Sequence, residues 1–210
     1  MRVRAGNIPA TVDVNNAANF LKVALSHDLV DTPFVRLRQD QRSKADPAAR
    51  IAALTADFVV AVESNERDKG WEWPHQEFSH FEDRTGADYS IVGFEDQIGV
   101  QRKADDLVGS LFGEKAKSAK TKRLEDQVRR LAPLRFPAVV VECGAGYIES
   151  HGYVSDTHPH SVIGRLVRIC AQYRVPCWLA GNRLSAQYWC AEWLEKSWRI
   201  IQASVLSTHS

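Results

Sequence analysis

The sequence predicts an α/β domain in which helices cover a mixed sheet. Two short, continuous apolar runs, Phe58–Val62 and Ala138–Glu142, are typical of strands buried on both faces. Two β-rich runs, Tyr89–Phe94 and Ile98–Lys103, flank a polar turn and indicate a hairpin. Amphipathic helical patterns lie between and after these runs. Strands that alternate with helices in this way are typical of α/β domains.

The first quarter of the chain, residues 1–56, is predicted to be an N-terminal helical extension of a domain that spans 57–210. One helix is expected over 15–29, and a second begins at Pro47 with Asp46 as its N-cap. A polar, basic stretch separates the two. Either the extension covers a sheet edge, or it is an arm that contacts DNA or a partner.

The remaining elements follow from the same patterns. A long polar connection over 64–87 contains Trp71 and Trp73, and such loops often carry function. The elements expected after the hairpin are a helix from Asp105 or Asp106, a lysine-rich loop 113–122, a helix 123–134, a loop 144–157, a helix Pro159–Arg174, a strand Val175–Ala180 and a helix Arg183–Val205.

Composition excludes several classes of protein. The net charge of +1 gives no global sign of a nucleic-acid partner, so any such footprint must be local. The four cysteines are scattered without a C-x-x-C pair, which is typical of reduced thiols in a cytosolic protein. There is no apolar signal region and no long apolar run, so we expect a soluble protein that is neither exported nor in a membrane.

The hairpin places polar side chains together. A two-residue turn at 95–96 would set Asp88 opposite Lys103 on the neighbouring strand. Gln101 lies two residues before Lys103 and shares its face, whereas Arg102 points the other way. A carboxylate, an amide and an ammonium therefore converge at the strand ends. Such a group suits a metal-and-phosphate site.

Four motifs occur in order along the chain: Glu63-Ser-Asn-Glu66, Ala87-Asp88, Gln101-Arg102-Lys103 and Asp106-Leu107-Val-Gly-Ser-Leu111. This pattern resembles the XPF-type structure-specific endonucleases of the PD-(D/E)XK nuclease superfamily, and it is closest to short phage and bacterial members. The resemblance covers about residues 57–200. It implies a restriction-endonuclease-like mixed central sheet flanked by helices, in the cytoplasm of a bacterial or phage-infected cell.

The resemblance implies a DNA endonuclease that depends on Mg²⁺ or Mn²⁺ and cuts branched, flap or single-stranded DNA. Oxygen ligands suit these hard cations. Asp88, Glu63, Glu66 and Gln101 are the candidate ligands. Lys103 would orient the attacking water and stabilise charge on the phosphate. The catalytic set is then Asp88, Gln101, Lys103 and Glu63, with Arg102 and Asp106 in support near the start of the following helix.

The sequence departs from the family pattern at Gln101, where the family has Glu. An amide oxygen can still bind a metal or its water, but one negative charge is lost and metal affinity should fall. Three explanations stay open: a natural active enzyme, as in the Mrr-like restriction enzymes that carry Gln here; an engineered knockout; or a catalytically weak DNA-binding or scaffolding protein on the same fold.

Positive charge concentrates after the hairpin. Between Gly99 and Arg135 there are ten Lys/Arg and five Asp/Glu. This local surplus indicates a DNA-contacting loop, whose candidate residues are Lys115, Lys117, Lys120, Lys122 and Arg123. The family resemblance also implies a homodimer that forms through the last two helices.

Overall fold

The computed structural model describes residues 46–112 and 124–207. The helix expected over 15–29 and the whole of the lysine-rich loop 113–122 lie outside the described residues. Six strands form one sheet: β1 (Val60–Glu63), β2 (Gln76–Ser79), β3 (Tyr89–Ile91), β4 (Ile98–Lys103), β5 (Phe136–Val141) and β6 (Cys177–Leu179).

The direction of the strands determines which strand ends lie together at one side of the sheet. The order in the sheet is β2-β1-β3-β4-β5-β6, and β3 is antiparallel to both of its neighbours. The other pairs are parallel. The carboxyl ends of five strands and the amino end of β3 therefore lie at the same edge. The mixed, helix-covered α/β sheet predicted from the sequence is confirmed.

Helices lie on both faces of the sheet. The described helices are α1 (Pro47–Leu54), α2 (Glu82–Thr85), α3 (Leu107–Phe112), α4 (Leu124–Leu131), α5 (Ala145–Glu149), α6 (Pro159–Tyr173) and α7 (Arg183–Ser207), with a 3-10 turn at Ser64–Glu66. The chain begins α1 as expected, because the Asp46 carboxylate accepts a hydrogen bond from the Ala48 N–H at 3.1 Å.

The alternation of side chains along each strand divides the core into two layers. In one layer, Val62, Tyr89 and Val100 pack with Leu194 and other buried residues of α7. In the other layer, the opposite strand positions pack with α3, α4 and α6 through buried leucines and valines. Strands β1 and β5 are thus buried on both faces, which explains their continuous apolar sequences.

Besides the 3-10 turn, three short elements occur in stretches expected to be loops. The connection over 64–87 contains β2 and α2, and the loop 144–157 contains α5. Strand β2 is at the edge of the sheet and reads Gln-Glu-Phe-Ser, so it has no apolar signal and depends on pairing with β1. The expectation of structureless connections was wrong here, because long-range pairing and packing define these elements.

The predicted hairpin register was also wrong. Tyr89 pairs with Val100, so Asp88 lies opposite Gln101 and not Lys103. The connection spans 92–97 and is closed by the Ile98 N–H, which donates to the Phe94 carbonyl at 2.9 Å. Gly93 has φ +84, a conformation that favours glycine. The error is two residues, and a shift of two keeps every side chain on its predicted face.

Two further findings concern the chain's chemistry. Its four cysteines are free thiols. Among residues 46–112 and 124–207, no helix combines the length and apolar character needed to cross a membrane.

Candidate active site

Glu63, Asp88 and Gln101 lie side by side on or next to three adjacent strands. They lie at the end of the sheet that holds the carboxyl ends of five strands and the amino end of β3, which is called the functional edge below. The Glu63 N–H donates to the Asp88 carbonyl at 2.9 Å, and the Asp88 N–H donates to the Val100 carbonyl at 2.9 Å. The register extends this row to Gln101, and Lys103 follows on the same face. The four predicted catalytic residues thus share one face and one edge.

Asp88 has an environment that disfavours its charge. Its side chain is only 5% exposed, and its Oδ2 accepts hydrogen bonds from the Arg102 N–H at 2.8 Å and from the Gln101 amide. Burial raises the pKa of Asp88 to about 8, because desolvation outweighs the opposing charge of Lys103. The negative charges of Glu66 and Glu82 also raise it.

Gln101 turns its amide nitrogen to Asp88 and leaves its oxygen unpartnered. Nε2 also donates to the Arg102 carbonyl at 3.1 Å. Within the described parts of the chain, Oε1 is buried and has no hydrogen-bond partner. Because such an atom normally costs about 1–3 kcal/mol, it indicates a partner that belongs at this site.

Lys103 is buried beside this pair and is held by the loop that follows β4. Its side chain is 5% exposed, and Nζ lies 3.4 Å from Asp106 Oδ2. Asp106 Oδ1 accepts a hydrogen bond from the Ala104 N–H at 3.2 Å. Burial acts to raise the pKa of Asp106, but Lys103 and this hydrogen bond outweigh it and lower the pKa. Asp106 therefore stays ionised and orients the ammonium group.

Glu63 has a role that the sequence did not indicate. Its Oε2 accepts hydrogen bonds at 2.7 Å from the backbone N–H groups of Phe81 and Glu82, at the start of α2. Its Oε1 lies 3.1 Å from Nδ1 of His80, whose side chain is 81% exposed. Both oxygens of this predicted metal ligand are thus in use, and Glu63 positions α2 and His80. No sequence pattern pointed to His80.

Arg102 lies on the opposite face, as strand parity predicted, but it does not support the start of α3. Its guanidinium contacts Glu66 at 2.8 Å and Glu142 at 2.7 Å, and it lies 5.7 Å from the centre of the Trp71 ring. Burial acts to lower the pKa of Arg102, but the hydrogen bond to Glu142 and the nearby acidic charges outweigh burial. The pKa of Arg102 is therefore raised, and its guanidinium stays charged. Glu66, a predicted metal ligand, is therefore an ion-pair partner.

The oxygen atoms around Asp88 fit a hard divalent cation. In the described ranges, no three His, Cys, Asp or Glu side chains form a cluster that could hold a metal. The available donors are instead the Asp88 carboxylate, the unpartnered Gln101 amide oxygen and the Arg102 carbonyl. This all-oxygen set suits Mg²⁺ or Mn²⁺, with a single carboxylate charge and therefore modest affinity.

The predicted DNA-contacting loop lies outside the residues that the structure describes. Lys115, Lys117, Lys120, Lys122 and Arg123 all lie between the two described ranges.

The mixed sheet, with acidic, amide and lysine side chains gathered at one edge, defines the class of protein: a restriction-endonuclease-like α/β fold. Residues 42–192 match the ERCC4 domain, which is more than half of the chain, and the protein belongs to this family of structure-specific DNA nucleases. XPF from Aeropyrum pernix is similar in structure, with a TM-score of 0.46, 18% identity and coverage of 71% of this chain and 68% of that chain. No curated protein matches the sequence.

The raised pKa of Asp88 predicts a specific dependence of stability on pH in the metal-free protein. Between about pH 4 and pH 8 the unfolded chain loses this proton while the folded chain keeps it, so Asp88 reduces the free energy of unfolding as pH rises. Asp88→Asn removes this contribution. We expect the variant to gain stability relative to the natural chain across this range, measured by urea unfolding in chelator.

Asp83, an exposed acid on α2, provides the control. If the difference between Asp88→Asn and the natural chain changes with pH no more than the difference between Asp83→Asn and the natural chain, then the Asp88 carboxyl group titrates normally.

Proposed function

We propose that this protein is a metal-dependent endodeoxyribonuclease that hydrolyses phosphodiester bonds in branched, flap or single-stranded DNA. The observation that carries the proposal is the buried Asp88 carboxylate beside the unpartnered oxygen of Gln101, with Lys103 on the same face. Membership of the ERCC4 family supports nuclease chemistry. The dependence on Mg²⁺ or Mn²⁺ and the choice of branched, flap or single-stranded DNA belong to this proposal.

The residues that would hold the cation are Asp88 and Gln101, with the carbonyl of Arg102. A bound Mg²⁺ or Mn²⁺ would polarise the scissile phosphate and make an attacking water more acidic. Ligation requires that Asp88 lose its proton. Metal binding should therefore strengthen as pH approaches about 8, the pKa of the free carboxyl group.

Lys103 is the residue that meets the developing negative charge. Asp106 Oδ2 lies 3.4 Å from the Lys103 ammonium nitrogen, so this ammonium group is ordered before substrate arrives. A buried lysine at the sheet edge can donate to a phosphate oxygen or hold the water beside it. Glu63 contributes indirectly, since its carboxylate orients α2 and His80.

Gln101 determines how strongly the site binds its cation. Nε2 donates both to Asp88 and to the Arg102 carbonyl, so the amide neutralises part of the site's negative potential. A carboxylate at this position would bring a second negative charge next to Asp88. The alternative of a weak or inactive scaffold rests chiefly on this replacement of the family Glu, and family membership does not favour it.

Gln101→Glu tests the site by two readouts. Without metal, a second buried carboxylate beside Asp88 should destabilise the protein, because like charges and desolvation both oppose ionisation. With Mn²⁺ the variant should gain more thermal stability than the natural chain, since the added carboxylate strengthens metal binding. Thermal unfolding in chelator and in Mn²⁺ measures both effects.

Cleavage of fork, flap and single-stranded DNA completes this test. We expect Mg²⁺- or Mn²⁺-dependent cleavage by the natural chain, faster in Gln101→Glu and reduced by on the order of 10²-fold or more in Lys103→Met, which removes the ammonium. Glu95, in the connection over 92–97 at the opposite end of β4 from Lys103, provides a control substitution to Gln. If the natural chain and Gln101→Glu both bind DNA but neither cleaves it, the nuclease proposal is contradicted.

The lysine-rich loop is proposed to bind DNA on the strength of its charge. Replacing Lys115, Lys117 and Lys120 by Ala should weaken DNA binding and flatten its salt dependence, by about 0.9 in slope for each duplex phosphate that the loop no longer neutralises. Fluorescence anisotropy over a salt series measures the slope. Lys196→Ala is the control, because Lys196 is already paired with Glu195 at 2.7 Å. An unchanged slope in the triple variant excludes the loop from the interface.

A homodimer through the C-terminal helices is also proposed. Helix α7 exposes apolar side chains, with Leu184 at 45%, Trp189 at 42% and Ile200 at 48%. We expect sedimentation of the purified chain to show a dimer that Trp189→Glu and Ile200→Glu weaken, because both introduce charge on this surface. A monomer at every concentration would remove this proposal.

A further inference from the structure

A cavity of about 260 Å³ lies at the carboxyl ends of β4, β5 and β6, beside the candidate active site. Its lining begins at Ala104, the residue after Lys103, and includes Glu142, which follows β5, and Arg183, at the start of α7. Crevices outside the carboxyl ends of parallel strands are common binding places in α/β proteins. None of the roles assigned above uses this cavity.

Two tyrosine rings give the cavity flat surfaces in fixed positions. The ring of Tyr147 lies against Gly152, where an added Cβ would meet it at 2.5 Å, yet this side chain is still 44% exposed. Tyr153 stacks on His151 with ring centres 4.6 Å apart, and its hydroxyl donates to the Thr157 carbonyl at 2.7 Å. Rings held in this way can stack on a flat ligand at little entropic cost.

Polar groups of both signs accompany the rings. Arg183 donates to Glu142 Oε1 at 3.2 Å and to the Lys69 carbonyl at 3.1 Å, while half of its side chain is exposed. Glu142 and Asp105 provide acceptors in the lining. Carboxylates accept hydrogen bonds from the exocyclic amino groups of nucleobases, which thymine lacks. The volume is slightly below the ~300–1,000 Å³ of drug-sized pockets, so it suits one flat ring system.

We propose that this cavity binds an unstacked nucleobase of the substrate strand, close to the bond that is cut. The proposal rests on the proposed function in one respect: DNA is taken as the substrate. A base within a duplex cannot enter, because stacking and pairing hold it in place. The cavity therefore gives this chain a physical means of selecting unpaired nucleotides at a branch or in a single strand.

The test measures DNA affinity in chelator, so that it does not depend on cleavage. A fork DNA carries one abasic site at successive positions along its single-stranded arm, and fluorescence anisotropy gives Kd for each. We expect one position at which removal of the base weakens binding about tenfold, since stacking of a base on an aromatic ring contributes at that level. At this position cytosine should bind more tightly than thymine.

Two variants connect that position to the cavity. Tyr147→Ala should weaken binding of the intact fork by a similar factor and remove the effect of the abasic site, because the ring and the base take part in one and the same interaction. Tyr147→Phe keeps the ring and should retain both. Circular dichroism confirms that the variants fold, and the abasic scan on the natural chain does not depend on them.

Each outcome decides the proposal. A flat abasic scan, or an abasic effect that persists in Tyr147→Ala, overturns it. Competition by dCMP together with a flat scan also overturns it, since the cavity would then serve free nucleotides. An abasic effect that Tyr147→Ala removes supports it even if no cleavage is seen with Mn²⁺, in which case only the proposed nuclease activity fails.

Discussion

The site depends on one physical constraint, the burial of the Asp88 carboxyl group at the meeting of three strands. A carboxylate removed from water is unfavourable unless donors or cations compensate for the lost hydration. The Arg102 N–H and the Gln101 amide provide two donors, and Lys103 provides a nearby positive charge. These do not balance the desolvation fully. The residual imbalance raises the pKa of the Asp88 carboxyl group to about 8, so the metal-free group keeps its proton at neutral pH.

Strand parity gives consecutive residues of β4 separate tasks. Gln101 and Lys103 face the site, whereas Arg102 joins Glu66 and Glu142 on the other face. Glu142 Oε1 also accepts from the indole N–H of Trp71 at 2.9 Å. This network connects the turn after β1 with the end of β5. It thereby fixes the backbone of Arg102, whose N–H and carbonyl both belong to the site.

Much of this arrangement could be predicted from local sequence. The apolar runs located β1 and β5, and the β-rich hairpin run located β4. Asp46-Pro47 located the start of α1, and the two-residue period placed Arg102 opposite its neighbours. The family resemblance, confirmed by the ERCC4 match, required only four short motifs.

What sequence could not provide depends on contacts between distant residues. Glu63 looked like a free ligand at a strand end, but it is engaged by the backbone 18 and 19 residues later and by His80. Glu66 is engaged by Arg102, 36 residues away. The turn at 92–97 shifted the hairpin register, and the cavity beside Tyr147 is assembled from three separate strand–helix connections. No local pattern encodes any of these.

The connection over 92–97 has a practical consequence. It lies at the end of β4 opposite Lys103, and five residue steps along the strand separate the two by roughly 17 Å. Asp96 is exposed there. A dye or a surface tether attached through a cysteine at this position would leave the catalytic edge unobstructed, so single molecules could be immobilised in one orientation while DNA approaches from the other side.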